Sequence, residues 1–324
     1  MTTLTIDHLR VRYRTGRRLL TAVDDVSLRI PAGHSIGLVG ESGSGKSTLA
    51  RAIVGLAPVA AGRILLGSDD VTSRRNRRRR QFGRHVQLVF QSPDTSLNPR
   101  MRVAETIGEA LAAYRQLSHA ERAREISRLL DIVALEDRVR DALPRELSGG
   151  QRQRVAIARA LAVKPEILIA DEVTSALDVS VQGAVLNLLS DLRRELGISL
   201  LFITHNLSIV RYVCDEVAMM YLGRLVESGA SDDVLAHPEH PYTTALVSAA
   251  LTVRAQAGRG IAAPALGEPP DPGSPPGGCR FHPRCPVGPI ANPDRTHCLT
   301  ADPWPGADQR RHRAACHFAR QEVA

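Results

Sequence analysis

The stretch Gly40-Glu41-Ser42-Gly43-Ser44-Gly45-Lys46-Ser47-Thr48 has the spacing G-x-x-x-x-G-K-[ST], and its residue types suit the holding of a polyphosphate. Glycines let backbone N–H groups converge on phosphate oxygens, and a helix beginning after them would aim its positive end at the same point. Lys46 would neutralise the β- and γ-phosphates, and Ser47 would offer a hydroxyl to Mg²⁺. A Gly/Ser turn with an incidental lysine is the plain alternative. Context argues against it, because a buried-strand pattern, Ser35 to Val39, precedes the loop and a helical pattern with Leu49, Ile53 and Leu56 follows it.

Ile167-Leu168-Ile169-Ala170-Asp171-Glu172 reads as a buried strand ending in two acids, so both carboxylates emerge at the carboxyl end of a sheet, where ligands bind in α/β folds. Asp171 suits the shell of Mg²⁺ and Glu172 a base that polarises water. Alone, two acids after a strand are an ordinary loop start; beside a phosphate loop they become candidates for nucleotide hydrolysis. A third element is Leu147-Ser148-Gly149-Gly150-Gln151, opening an amphipathic helix marked by Val155, Ala158 and Ala162. Its Ser-Gly-Gly start presents a hydroxyl and N–H groups at a positive helix end, a second anion site or merely a helix cap.

These side chains need a scaffold that brings strand ends together. Ser35–Val39, Ile167–Ala170 and Ser199–Ile203 are short, nearly continuous apolar runs flanked by helical patterns, as central strands of a parallel sheet covered on both faces would be. Leu4–Val11 and Val26–Ile30 alternate with period two and suggest an antiparallel sheet at the edge of this α/β core. From about Val103 to Leu143 the spacing turns helical, with Ile107 and Leu111, then Ile126, Leu129, Leu130 and Val133, an insertion in the core. Beyond about Arg254 the composition shifts, with 12 of the 20 prolines and four of the five cysteines in the last 70 residues. A boundary is expected there, and Gly267 to Gly278 reads as an extended connector.

With 324 residues the chain is long enough for a large core, and 43% apolar with 23% charged residues excludes collagen-like, disordered and coiled-coil classes. Forty-two Lys and Arg against 34 Asp and Glu leave a formal charge of +8, but Arg74, Arg75, Arg77, Arg78, Arg79 and Arg80 supply six of those charges. One basic loop is not a stripe, and 3% aromatic residues offer little stacking surface, so no nucleic-acid partner is expected. No run approaches the ~20 apolar residues of a membrane span, and Met1–Asp7 lacks the layout of a secretion signal, which points to the cytosol. Five cysteines in a reducing compartment argue for metal binding or buried thiols rather than disulfides.

The phosphate loop, the two acids and Leu147–Gln151 together resemble the ATP-binding subunits of ABC transporters, whose signature motif is LSGGQ. The resemblance implies an ABC-type P-loop ATPase core with an antiparallel β edge subdomain, a helical insertion and a small Cys/Pro-rich C-terminal extension. ATPase domain 1–253, with a helical subdomain at about 100–145, would be followed by extension 254–324. Gln91, in Val89-Phe90-Gln91-Ser92-Pro93, matches the glutamine that touches Mg²⁺ and the attacking water. Asp178, in Ser175-Ala176-Leu177-Asp178, matches the D-loop, His205 matches the switch histidine on the γ-phosphate, and Tyr13 is the adenine-stacking candidate. Val173 stands where the family usually has proline, and Asn206 where aspartate is common. The family pairs two such domains head to tail, each closing its LSGGQ helix over nucleotide held by the other's phosphate loop.

His237-Pro238-Glu239-His240-Pro241-Tyr242-Thr243-Thr244-Ala245-Leu246 resembles an element of dipeptide, oligopeptide and nickel importers; by its chemistry alone it is a Pro-rigidified turn capping a helix. The wording of the phosphate loop and Thr95-Ser96-Leu97-Asn98-Pro99 resemble the same branch. That branch implies a peripheral subunit on the cytoplasmic membrane face that couples ATP hydrolysis to import. Its partners would be a second, related ATPase chain, two transmembrane permease subunits and an extracytoplasmic solute-binding protein. A soluble ABC ATPase and an importer of nickel or another small solute are the alternatives. Cys279, Cys285, Cys298 and Cys316 lack tight C-x-x-C pairs, so their spacing leaves metal and no metal open. The segment Gly278–Pro286 resembles tails for which [4Fe–4S] ligation is implied; zinc is a second option, with His282, His297 and His317 as substitute donors, while Cys214 is expected to be a buried thiol.

Overall fold

The structure is a computed structural model and describes residues 2–16, 18–72, 82–92, 96–175, 177–255, 267–303 and 311–319. The arginine run 74–80, Pro93 of the Val89–Pro93 stretch, Thr95 of the Thr95–Pro99 stretch, Ala176 of the D-loop motif and the residues just past the boundary expected near Arg254 lie outside the described residues. In chain order the elements are β1 (Leu4–Thr15), β2 (Arg18–Ile30), β3 (Ser35–Val39), α1 (Lys46–Ile53), β4 (Val59–Leu66), β5 (Asp69–Asp70), β6 (Val86–Val89), α2 (Val103–Tyr114), α3 (His119–Ile132) and α4 (Gly149–Leu161). They continue as β7 (Ile167–Asp171), α5 (Val179–Leu196), β8 (Ser199–Thr204), α6 (Leu207–Val213), β9 (Glu216–Tyr221), β10 (Arg224–Ala230), α7 (Ser231–Ala236), α8 (Pro241–Ala255), α9 (His297–Thr300) and β11 (Arg313–Ala314). No helix among the described residues is long and apolar enough to cross a membrane.

Two units divide the chain. The first comprises Met1–Leu4, Ile30–His34 and Ser73–Phe202. In it β6 and β7 pair in parallel, Val86 opposite Ile167 through Val89 opposite Ala170, with β8 on the other side of β7. Every residue of β7 and of β8 is buried, which is why their sequences are continuous apolar runs rather than alternating ones. The helical insertion is present: α2 buries Ile107 and Leu111, and α3 buries Ile126, Leu129 and Leu130, one stripe on each helix. Ser118 starts α3 as the first half of a capping box, accepting from the Glu121 N–H while the Glu121 carboxylate accepts from the Ser118 N–H.

The second unit comprises Thr5–Arg29, Ser35–Thr72 and Ile203–Ala324. One sheet runs β2-β1-β4-β5, so β1 has a neighbour on each side. Tyr13 therefore lies within β1 itself, two residues beyond the alternation read from Leu4–Val11. The other run of strands is β11-β10-β9-β3. β3 lies parallel to β9, with Ile36 opposite Glu216 and Val39 opposite Met219, while β9 and β10 form an antiparallel hairpin. Leu222 and Gly223 make its two-residue turn with φ of 42° and 82°, the left-handed pair that matches the twist of the strands. β11 extends the run, pairing Glu227 with Ala314, so the far C-terminal segment is tied to the β9–β10 hairpin. The stretch from Gly267 to Gly278 forms neither helix nor strand.

Candidate functional site

The phosphate loop leaves the end of the fully buried β3 and enters α1. Gly40 is required by space, and Gly45 by space as well as by conformation. A Cβ on Gly40 would stand 2.1 Å from the Met220 carbonyl oxygen, and one on Gly45, where φ is 105°, would stand 2.3 Å from that of Ala22. Ser42 and Gly43 are exposed at the crest. Lys46 is 4% exposed, and its ammonium donates to the carbonyls of Gly40 at 2.8 Å and Glu41 at 2.9 Å. Its charge is thus carried inside the loop, beside the opening N–H groups of α1, with Ser47 and Thr48 in the first turn.

Glu41 is held from three sides. Its carbonyl takes the Lys46 bond, its N–H donates to the Tyr242 hydroxyl at 2.9 Å, and its carboxylate receives both arms of Arg284 at 2.8 and 2.9 Å. Arg284 and Tyr242 belong to segments that the sequence marks as Pro-rich turns, and nothing in their local pattern signals contact with residue 41. Burial drives the Tyr242 hydroxyl pKa up, so it stays protonated, and His240 is buried and held neutral with its pKa pushed down to about 3.

In the first unit, Asp171 ends β7 and is 3% exposed, while Glu172 takes a left-handed φ of 47° that turns its side chain out of the strand line. The Gln91 amide donates to the Glu172 carboxylate at 2.7 Å. Ser175 donates its hydroxyl to the Glu172 carbonyl at 2.9 Å, which braces the turn after the strand. Val173, at the position of the family's proline, is buried in that turn. Gln91 and Glu172 are thereby brought together, although they are far apart in the chain. Asp178 precedes α5 and is exposed.

Ser148 is the N-cap of α4. Its hydroxyl accepts from the Gln151 N–H at 3.2 Å and the Gln151 side chain accepts from the Ser148 N–H at 2.9 Å, a capping box whose S-x-x-Q spacing was open to reading in the sequence. Gly150 has Val181 of α5 2.4 Å from where a Cβ would stand, and Gly149 has Leu177 at 3.5 Å, so the small residues also let α4 seat against the following helix. His205 follows β8 in the second unit and is exposed, and Asn206 caps α6 by accepting from the Ser208 N–H at 3.0 Å. Asn and Asp cap equally well, which makes that departure structurally neutral. Tyr13 is half-buried on β1.

Cys279, Cys285, Cys298 and Cys316 line one small cavity together with His282 and His317. Burial raises all four thiol pKa values, that of Cys279 to about 12 and that of Cys285 to about 11, so the sulfurs are protonated at neutral pH. Among the described residues no group of three or more His, Cys, Asp or Glu is arranged to hold a metal ion. The described residues thus give no support to the [4Fe–4S] ligand set implied by the resemblance, although all four cysteines line the same cavity. His297 instead packs edge-on against His317 at 5.1 Å between ring centroids. Cys214 is a buried thiol.

The model of the ABC transporter family matches residues 23–175, and that of the oligopeptide/dipeptide transporter C-terminal region matches residues 226–289. The "Probable peptide ABC transporter ATP-binding protein" of Sinorhizobium fredii is 46% identical over 85% of this chain and 78% of its own length. A Brucella abortus protein named as a candidate peptide import ATP-binding protein is 46% identical over 85% and 82%. Among solved structures, a dimeric ATP-binding cassette in a post-hydrolysis state with ADP and Pi superposes with a TM-score of 0.65 at 28% identity, covering 70% of this chain and 98% of that one. The cbiO1 protein of Clostridium perfringens, part of an ABC transporter complex, gives 0.64 at 29% identity, covering 72% and 90%. With identities this high over most of its length, the chain belongs to the ATP-binding proteins of ABC transporters, with their ATPase fold and activity, and to the group that carries the oligopeptide/dipeptide transporter C-terminal region.

Proposed function

We propose that this chain is the energy-coupling ATPase of an importer of dipeptides or oligopeptides, acting peripherally at the cytoplasmic face of the membrane. The observation that carries this is the joint match of one chain to the ABC transporter model and to the oligopeptide/dipeptide C-terminal region. The peptide-import names of the relatives and the dimeric state of a cassette neighbour support it. Domain 1–253 would carry ATPase function and 254–324 the branch-specific extension. The partners would be a second, related ATPase chain, two permease subunits and an extracytoplasmic binding protein.

The roles follow from the chemistry of each group. Lys46 and the N–H groups of residues 40–48 would bind the triphosphate, and Tyr13 would stack on adenine. Ser47, Gln91 and Asp171 offer the hard oxygen donors that suit Mg²⁺, which when bound offsets charge on the phosphate oxygens. Glu172, oriented by Gln91, would take a proton from the attacking water. His205 would contact the γ-phosphate. Ser148, Gly149, Gly150 and Gln151 would close over nucleotide held by the paired domain, with Asp178 at the same face, so that no single copy completes a site. ATP binding would close the pair and hydrolysis reopen it, biasing the permease between two states.

The decisive experiment is reconstitution with the permease and binding-protein subunits in vesicles, followed by peptide-stimulated ATP hydrolysis and peptide uptake. Uptake and hydrolysis that rise together with added di- or oligopeptide support the proposal. Stimulation by a nickel complex and not by peptide would replace the cargo, and failure to associate with the permease would return the chain to the soluble ATPases.

A further inference from the structure

Glu41 is the single acid within the nine-residue loop 40–48, and it lies where the proposed ATP site, on which this inference rests, requires an anion with several negative charges to bind. Left alone, that carboxylate would repel phosphate. It is not alone: the Arg284 guanidinium grips it with two parallel bonds, at 2.8 and 2.9 Å, in a planar fork-to-fork geometry. The Arg284 side chain is 5% exposed, so the pair is shielded from salt and water on the arginine side. A third bond, from Arg284 to the Gly267 carbonyl at 3.0 Å, fixes the guanidinium against the connector.

The support beneath this pair is rigid. Tyr221, Tyr242 and Phe281 are each at most 1% exposed, and their rings pack with centroids 4.8 to 5.5 Å apart. The guanidinium of Arg284 lies 5.6 Å from the Tyr221 ring centre, and the Tyr242 hydroxyl projects from the same cluster to accept the Glu41 N–H. Arg280, four residues before Arg284, bonds the Asp24 carboxylate and the Leu222 carbonyl, and the Gly223 N–H bonds the Ser44 carbonyl at 2.8 Å. The segment from Cys279 to Cys285 and the turn of the β9–β10 hairpin thus brace the phosphate loop from one side.

We propose that Arg284 and Tyr242, both outside the ATPase core motifs, are positioning residues for nucleotide binding: Arg284 cancels the charge of Glu41, and the two together fix the Glu41 peptide whose carbonyl holds Lys46. A loop without regular structure samples conformations in which its N–H groups diverge, and affinity falls by the fraction of time spent there. Tying the amide, the carbonyl and the side chain of one loop residue removes much of that freedom. By reciprocity, nucleotide in the loop stabilises the grip of the Cys279–Cys285 segment.

This assignment rests on the loop being the ATP site, so the test separates the two. Full-length protein is titrated with a fluorescent Mg-ATP analogue and assayed for phosphate release over a range of Mg-ATP. Arg284→Gln leaves Glu41 charged and unpaired, and is expected to raise Kd and KM about tenfold while kcat at saturation stays within about twofold. Glu41→Gln in the same chain as Arg284→Gln removes the stranded charge and is expected to restore most of the affinity. Arg284→Lys, which keeps the charge and loses the fork, should fall between, and Tyr242→Phe should raise KM about threefold. A double variant as weak as Arg284→Gln, or an Arg284→Gln protein with unchanged KM, overturns the proposal. If Arg284→Gln does not fold, the neutral double variant and Tyr242→Phe decide by the same readouts. Lys46→Ala is the separate control: unchanged binding there would overturn the assignment of the loop to ATP, whereas loss of binding in Lys46→Ala with no effect at Arg284 and Tyr242 would overturn the positioning role alone.

Discussion

Gln91 and Glu172 meet through a 2.7 Å hydrogen bond from the amide of one to the carboxylate of the other. The bond orients the Glu172 carboxylate, and Glu172 sits on a backbone of φ 47° that a non-glycine residue adopts only at a cost of about 1–3 kcal/mol. Glu172→Gln should lower steady-state phosphate release by ~10²–10⁴-fold with Mg-ATP affinity retained. Gln91→Ala, which frees the carboxylate to rotate, should lower kcat less, by about tenfold. Unchanged turnover in Glu172→Gln would move the base to another residue.

Gly40 and Gly43 respond differently to the same methyl group. At Gly40 the new carbon would press into the Met220 carbonyl, so Gly40→Ala should cost about 2–4 kcal/mol in urea denaturation and abolish nucleotide binding. Gly43 has open space around it and only a φ of 78° to satisfy, so Gly43→Ala should cost about 1–2 kcal/mol. Equal losses would show that the Met220 carbonyl gives way to the added methyl group at little cost.

Ser148 has a capping duty that can be separated from its proposed duty toward nucleotide. Ser148→Ala should lower stability by about 1 kcal/mol through loss of the cap. Ser148→Asp keeps the cap and so the melting temperature, but brings a negative charge to the face that would close on the γ-phosphate; ATPase activity should fall sharply. An active Ser148→Asp protein would place the partner's nucleotide elsewhere.

His240 makes stability depend on pH with a definite sign. Its imidazole is buried, accepts from the Tyr242 N–H at 3.0 Å, and stays neutral down to about pH 3, against an ordinary value of 6.5. Between those values the unfolded chain binds the extra proton, so stability is lost as pH falls, by up to about 1.4 kcal/mol per pH unit from this group. Glu227 works in the opposite direction, since burial raises its pKa despite the bonds it accepts. Comparing wild type with His240→Gln by denaturation from pH 7 to pH 4 isolates the histidine, and the variant should show the shallower loss.

The tail thiols should be slow nucleophiles. With Cys279 pushed up to about 12 and Cys285 to about 11, iodoacetamide at pH 8 should modify them about tenfold or more slowly in the native protein than in urea. Rapid native alkylation would mean that a thiolate is stabilised in the cavity after all.

How much of this was legible beforehand depended on whether the signal was local. Ser35–Val39, Ile167–Ala170 and Ser199–Ile203 were readable as strands because both faces of each are buried, which leaves an unbroken apolar run. The phosphate loop announced itself because glycine and lysine spacing is dictated by backbone geometry over nine residues. The β9–β10 hairpin gave no such notice: its left-handed turn uses Leu222-Gly223 where Asn-Gly would have been conspicuous. The Glu41–Arg284 pair spans 243 positions, and no periodicity links the two ends. The four cysteines mark a different limit: their spacing left metal and no metal open, and in the fold they share one cavity as buried thiols without a recognisable metal-holding group among the described residues.

Lys46 gives its ammonium protons to the carbonyls of Gly40 and Glu41 in its own loop, reaches the Ser44 hydroxyl at 3.5 Å, and is 4% exposed. An arriving anion must compete with the backbone dipoles already in place, and a lone singly charged ion has little with which to do so. A chain of phosphates, spreading its charge across the whole row of amides, does. In the proposed ATP site the lysine would thereby act as a threshold, favouring a polyphosphate over the small anions that crowd a cell.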